Sequence, residues 1–255
     1  MKISYKAVTD VGRRRKGNED SVHANPDHRL FVVADGMGGH AAGEVASRVA
    51  VEAVDEFIRL TAGDRDITWP FEFDENLSHD GNRLQAAIRF ANQRVLDTTA
   101  TQAEYEGMAT TVVAVLGGEA DTVHLAHVGD SRIYLLRGGT LRQLTSDHSW
   151  VNEQILSGVI SPDQARTHPL RNVVTRALGS RTELLVDLQT VTVEPNDVLL
   201  LCTDGLTTML TDDELQEHLC ADLPDVDKAS AHLVELANER GGEDNITVLL
   251  VQFTS

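Results

Sequence analysis

The chain lacks most of the features that would settle its class at once. It has two cysteines, Cys202 and Cys220, and no C-x-x-C spacing, so no disulfide framework is available and reduced thiols are expected. Six prolines are present, with no Pro/Gly/Ser linker, repeat or low-complexity tract. The longest apolar runs, Leu30–Ala34, Val112–Leu116 and Val198–Cys202, are five residues each, where a membrane-spanning helix needs about 20. The opening Met1-Lys2-Ile3-Ser4-Tyr5-Lys6 has no apolar signal-peptide core. Positive charge is scarce: 22 Lys and Arg stand against 40 Asp and Glu, a formal charge of −18. That balance argues against nucleic acid or an anionic membrane surface as partner. With 41% hydrophobic and 24% charged residues over 255 positions, the chain reads as a soluble, acidic, cytoplasmic globular domain.

What the sequence does contain is alternating helix and strand signals. Paired apolar residues recur every four positions from Glu44 to Leu60 (Val45/Ala46, Val49/Ala50, Ala53/Val54, Phe57/Ile58), and Leu84, Ala87, Ile88, Ala91 and Val95 repeat the spacing between Asn82 and Thr99. Both stretches predict amphipathic helices. Thr211-x-x-Glu214 predicts a capping box, and Asp225–Arg240 a longer helix stopped by Gly241-Gly242. Strands are predicted at Leu30–Ala34, Thr111–Leu116, Thr122–Val128, Arg132–Arg137, Val191–Val193, Val198–Cys202 and Ile246–Val251. Connections such as Gly129-Asp130-Ser131 and Glu194–Asp197 are too short for parallel crossovers, so the pairing is antiparallel. The expected fold is α+β, two antiparallel sheets with helices on their outer faces. Thr61–Gly81 loses periodicity and is expected to be an irregular insert carrying Trp69, Phe71 and Phe73.

The acidic residues are informative by position. Strand 30–34 runs into Asp35-Gly36, strand 198–202 into Thr203-Asp204-Gly205, and strand 122–128 into Gly129-Asp130; strand 246–251 is entered through Gly242-Glu243-Asp244-Asn245. Any one such pair is explained by turn chemistry, since glycine supplies positive φ and Asp tolerates it. Four of them at the ends of buried strands would gather carboxylates that repel unless they are protonated or share a cation. An all-oxygen set selects Mg²⁺ or Mn²⁺ over zinc. The ten histidines show no H-E-x-x-H and no paired His/Cys spacing. A pair of such ions is a device for phosphate-ester hydrolysis.

An anionic substrate also needs a cation beside the acids. Gly12-Arg13-Arg14-Arg15-Lys16-Gly17-Asn18-Glu19-Asp20 places four bases before two acids. By itself that run is either a solvated turn or a phosphate-orienting arginine next to metal-facing carboxylates. There is no G-x-x-x-x-G-K-[ST], no G-x-G-x-x-G and no G-x-S-x-G, so neither a nucleotide cradle nor a serine nucleophile is indicated.

Taken in order, these motifs resemble the metal-dependent PPM (PP2C-type) Ser/Thr protein phosphatases, the compact bacterial ones in particular. The matching residues run nearly end to end: Thr9–Gly12 with Arg15 and Asn18-Glu19-Asp20, Val33–His40, Gly107–Thr111, His127–Arg132, Leu144–Ser149, Thr203-Asp204-Gly205 and Asp244–Thr247. The resemblance implies a four-layer α-β-β-α sandwich over residues 1–255, with a flap at about 147–176 beside the site. It implies two Mn²⁺ or Mg²⁺ ions per chain. Asp35 would bridge them and the Gly36 carbonyl would bind the first; Asp204 and Asp244 would complete the second, with Glu19 close by. A third, weaker ion would sit at Asp130 with Asp204. Arg15 would hold the phosphate, and Asn245 would buttress the Asp244 loop.

The implied reaction is hydrolysis of phosphoserine and phosphothreonine in proteins by direct attack of a metal-bridging water. Met37 stands where vertebrate-type members place a histidine, so His40, three residues on, and a metal-bound water are the two candidates for the acid that protonates the leaving oxygen. By the same resemblance the partners are phosphorylated proteins, namely the substrates of bacterial Ser/Thr kinases and the kinases themselves. The alternative is a regulatory binding module, a pseudophosphatase on the same fold; it would have lost Asp35, Asp204 or Asp244, and all three are present. A phosphatase acting on an anti-sigma-factor antagonist would share the chemistry but usually carries sensor domains. A two-metal nuclease is disfavoured by the charge of −18.

Overall fold

A row of antiparallel strand pairs dictates the architecture, and every pairing between named strands is antiparallel. The computed structural model describes residues 1–38, 42–63 and 71–255. In chain order the strands are β1 (Lys2–Asp10), β2 (Asp20–Asn25), β3 (Leu30–Met37), β4 (Ala109–Thr110), β5 (Val112–Gly117), β6 (Thr122–Val128), β7 (Arg132–Arg137), β8 (Thr140–Gln143), β9 (Asp187–Thr192), β10 (Val198–Cys202) and β11 (Ile246–Thr254). The helices are α1 (Ala42–Leu60), α2 (His79–Thr101), α3 (Trp150–Leu156), α4 (Pro162–Arg166), α5 (Asp204–Thr207), α6 (Asp212–Asp222) and α7 (Val226–Glu239).

One sheet has the order β1-β11-β10-β7-β8, the other β2-β3-β5-β6-β9 with β4 paired to β3. Phe31, Val33, Val113 and Val115 meet Ile133, Leu199, Leu201, Leu249 and Val251 between the sheets. The alternate residues of the same strands face outward: Leu30, Val32 and Ala114 against α1 and α2, and Leu200, Val248 and Leu250 against α6 and α7. Central strands are therefore apolar on both faces, which explains why they read as continuous runs rather than alternating patterns. The result is the expected α-β-β-α sandwich.

The capping box at Thr211/Glu214 forms as predicted, and the helix expected over Asp225–Arg240 is α7, with Asp225 as its N-cap. Other boundaries differ. Strand β1 was not predicted, because Lys2, Ser4 and Lys6 break its apolar run, yet it pairs along its whole length with β11. Strand β9 starts at Asp187, earlier than the expected 191, and β8 and the short helices α3–α5 carry too little periodicity to be read. Helix α2 begins at His79, capped by Ser78, so residues 79–81 are helical rather than irregular. Phe71 packs against the α1–α2 core, while Trp69 lies outside the described residues. No described helix is long and apolar enough to cross a membrane.

Candidate active site

The ends of the central strands of both sheets converge on one group of carboxylates. Asp35 comes from β3; its N–H donates to Thr111 Oγ1 at 3.0 Å, and its carbonyl accepts from the Thr110 hydroxyl at 2.8 Å and from the Thr111 N–H. Asp204 opens α5 directly after β10, and Asp244 lies just ahead of β11. Asp20 starts β2 exactly opposite Asp35 in the ladder. It is buried, and Oδ2 accepts hydrogen bonds from Thr203 (2.9 Å) and Thr247 (2.6 Å), residues of the other sheet. A buried carboxylate thus links the two sheets below the cluster.

Close backbone packing keeps the loops in place. A Cβ on Gly36 would lie 2.0 Å from the Gly43 carbonyl oxygen, and one on Gly205 would lie 2.0 Å from the Asn245 carbonyl oxygen. The glycines beside Asp35 and Asp204 are required by this contact between neighbouring chain segments. Turn chemistry is not the reason, since neither has positive φ.

The electrostatics are those of acids held close together without enough cations. Burial pushes the Asp35 carboxyl well above its ordinary range, and the neighbouring charges of Asp20, Asp204, Asp130 and Asp244 push it further. Burial raises Asp204 to about 6, reinforced by Asp244, while a hydrogen bond from Asp35 acts the other way. Asp130 rises to about 8, through burial and then Asp204 and Asp147. Asp20 rises to about 7 through burial, partly offset by its two threonine donors. Glu19 is raised more mildly, again by burial. One Asp20 oxygen, Oδ1, is buried with no hydrogen-bond partner. Arg15 pairs with the group directly, Nη2 donating to Asp244 at 2.7 Å and Nη1 lying 3.9 Å from Glu19, and the charge of Arg132 also favours the ionised forms of Asp204 and Asp130.

These observations fit a hard divalent cation. The donor set is all oxygen, anionic and half-buried, and divalent charge would remove the repulsion that otherwise holds protons on the acids. Asp35, Asp204, Asp244, Glu19 and Asp130 are drawn together, with Arg15 on their rim. His40 lies outside the described residues.

A second group of potential ligands, His127, His148 and Asp187, lies within 4.8 Å and reads differently. His148 Nδ1 accepts the Gly129 N–H at 3.0 Å, so the neutral ring carries its proton on Nε2, which faces Asp187 at 3.3 Å. Burial lowers His148 to about 4, helped by His127 and Arg176. The His148 Nδ1 lone pair fastens the Gly129-Asp130 loop, so the neutral ring offers no free lone pair to a metal ion, and the buried Nε2 has no hydrogen-bond partner among the described residues. The roles of Asp20 and His148 were not assigned from sequence. Both residues stand in stretches that carry the resemblance, Asn18-Glu19-Asp20 and Leu144–Ser149, but neither stretch shows the partners: Thr203 and Thr247 lie across the sandwich from Asp20, and Asp187 is 39 residues from His148.

Carboxylates gathered at the ends of two stacked antiparallel sheets define a candidate metal centre in an α-β-β-α sandwich. The family model for protein phosphatase 2C matches residues 12–244, and the chain belongs to that family. It is 41% identical over 251 residues to the serine/threonine phosphatase stp of Listeria monocytogenes, covering 96% of this chain and 93% of that one. It is 39% identical over 256 residues to the protein phosphatase PhpP of Streptococcus pneumoniae, covering 98% and 97%. The crystal structure of the Mycobacterium tuberculosis serine/threonine phosphatase PstP superposes with a TM-score of 0.86 at 36% identity, covering 99% of each chain. The PstP catalytic domain in complex with two manganese ions gives 0.84 at 34%, again over 99% of both. The chain is a protein phosphatase.

Proposed function

We propose that this protein hydrolyses phosphoserine and phosphothreonine in other proteins with two Mn²⁺ or Mg²⁺ ions held by Asp35, the Gly36 carbonyl, Asp204, Asp244 and Glu19. A third ion would be held at Asp130 with Asp204. The observation that supports the reading is the convergence of these carboxylates at the ends of the central strands, where burial and mutual charge raise the proton affinity of Asp35, Asp204 and Asp130. When bound, such ions lower the pKa of water for attack on phosphorus and neutralise charge on the attacking and leaving oxygens.

The chain's own residues then position the reactants. Arg15 presents a planar guanidinium at the rim, suited to bidentate contact with two phosphoryl oxygens. Asp20 holds Thr203 and Thr247, fixing the backbone that delivers Asp204. Thr110 and Thr111 fix Asp35, and the Thr111 hydroxyl lies 2.7 Å from that of Ser131, next to Asp130. His40 is retained as a proposed donor to the leaving oxygen. Phosphorylated proteins, including bacterial Ser/Thr kinases and their targets, are the proposed substrates, in a cytoplasmic signalling role. The presence of every proposed ligand gives no support to a non-catalytic binding module.

Turnover of p-nitrophenyl phosphate tests the reading. Activity is expected with Mn²⁺, and loss with chelator or in Asp204→Asn. Activity that survives either treatment would refute the two-metal account.

A further inference from the structure

A cleft of about 360 Å³ leads from Asp130 and Asp204 outward to the segment of α3 and α4, where Arg166 and Arg171 line it. The charges around this cleft differ in whether they are already satisfied. Asp147 receives both arms of Arg132, Nε to Oδ1 at 2.9 Å and Nη2 to Oδ2 at 2.7 Å. Asp212 accepts the Tyr134 hydroxyl at 3.0 Å and lies 3.8 Å from Arg132. Asp130 and Asp204 face the proposed ions. Arg166 and Arg171, by contrast, are exposed and make no side-chain hydrogen bond or ion pair among the described residues. The acids of the cleft are committed and its outer cations are not, in a chain whose net charge is −18.

The supporting segment is well ordered by its own contacts. A Ser161/Gln164 capping box starts α4. Trp150 stacks on His168 with ring centres 4.8 Å apart, and the Trp150 backbone N–H donates to the Val173 carbonyl at 2.8 Å. Arg166 and Arg171 are therefore displayed from a braced platform, so less ordering entropy opposes binding there.

We propose that the outer end of this cleft is a subsite for a second anionic group of the substrate, an acidic side chain or a second phosphoryl group a few residues from the phosphorylated one, held by Arg166 and Arg171. The proposal rests on the phosphatase reading and adds a substrate class to it. Guanidinium forks match both carboxylate and phosphoryl oxygens. Val151, Ile155 and Ala165 supply apolar wall for the methylenes of an incoming side chain.

The test compares phosphothreonine peptides identical except for Ala, Glu or a second phosphothreonine at flanking positions, assayed in saturating Mn²⁺ beside p-nitrophenyl phosphate, which has no flanking chain. The expected result is a kcat/KM about tenfold higher for the Glu and doubly phosphorylated peptides than for Ala, falling as salt is raised. In Arg166→Gln/Arg171→Gln this preference disappears, and in Arg166→Glu/Arg171→Glu it reverses in favour of a Lys-flanked peptide. A gain confined to the doubly phosphorylated peptide assigns the subsite to phosphoryl groups. The absence of any preference in the wild type, its survival in the double variant, or an equal fall on p-nitrophenyl phosphate would overturn the subsite while leaving the phosphatase reading intact. No turnover of p-nitrophenyl phosphate by the wild type would overturn the reading, and the subsite with it.

Discussion

The Asn245 side chain accepts the backbone N–H of Glu19 at 2.8 Å, across 226 residues of sequence. Its Nδ2 donates to the Val11 and Gly17 carbonyls, both at 2.9 Å. One buried amide therefore fastens the loop that carries Arg15 and Glu19 to the strand entry that carries Asp244. Its neighbour Asp244 receives Arg15 directly, so the cation and both acids depend on the same anchor.

Asn245→Ala removes all three contacts and leaves the part-buried Glu19 N–H and the Val11 and Gly17 carbonyls without their amide partner. A loss of about 2–4 kcal/mol is expected, with weaker Mn²⁺ dependence of activity because the Glu19 loop is released. Urea unfolding with and without metal measures both. An unchanged midpoint would show that the amide does not anchor the loop.

Removing a carboxylate should separate activity from stability. Asp204→Asn is expected to lower kcat by more than about 100-fold while raising the melting temperature in chelator, since a buried repelling acid has been neutralised. Circular-dichroism melts beside the turnover assay read both effects. A variant that is inactive and also less stable in chelator would contradict the electrostatic account.

The same acids fix a pH dependence. Asp204 at about 6, Asp20 at about 7 and Asp130 at about 8 all lie above the ordinary aspartate value. The folded state holds these protons more tightly than the unfolded state, so their contribution is present below about pH 4 and is lost as pH rises toward 8. Glu214, lowered to about 2 by Arg240, has the opposite sign but titrates below that window. In chelator the melting temperature should fall by roughly 5 °C or more between pH 5 and pH 8, and Mn²⁺ at pH 8 should restore it. A flat metal-free profile would count against the cluster.

Arg15→Ala should lower kcat/KM on phosphopeptides by about 10- to 100-fold, with part of the loss in KM. An arginine serving only to pair Asp244 would change metal affinity instead, which a Mn²⁺ titration of the variant distinguishes.

Gly36→Ala and Gly205→Ala should each cost about 3 kcal/mol or more, because the new Cβ would meet a backbone oxygen at 2.0 Å. Gly17→Ala, with nothing within 4 Å, should be nearly neutral. Chemical denaturation of the three variants provides the comparison.

Local sequence determined the strands that are apolar on both faces, the amphipathic stripe of α1, the capping box at Thr211, the helix that follows Asp225, and the identity of the acids at strand ends. Those features depend on residues within a few positions of one another, where periodicity and turn chemistry act. Only the tertiary structure decided which acids meet. Asp20 opposite Asp35 is a matter of strand register, and its bonds to Thr203 and Thr247 join opposite sheets. The neutral form of His148 follows from burial and from the Gly129 N–H. That Arg166 and Arg171 share a cleft with Asp147 and Asp212, acids already bonded to Arg132 and Tyr134, appears only in three dimensions. Hydrogen bonding and charge act through space at a few ångströms, and folding alone sets which distant residues come that close.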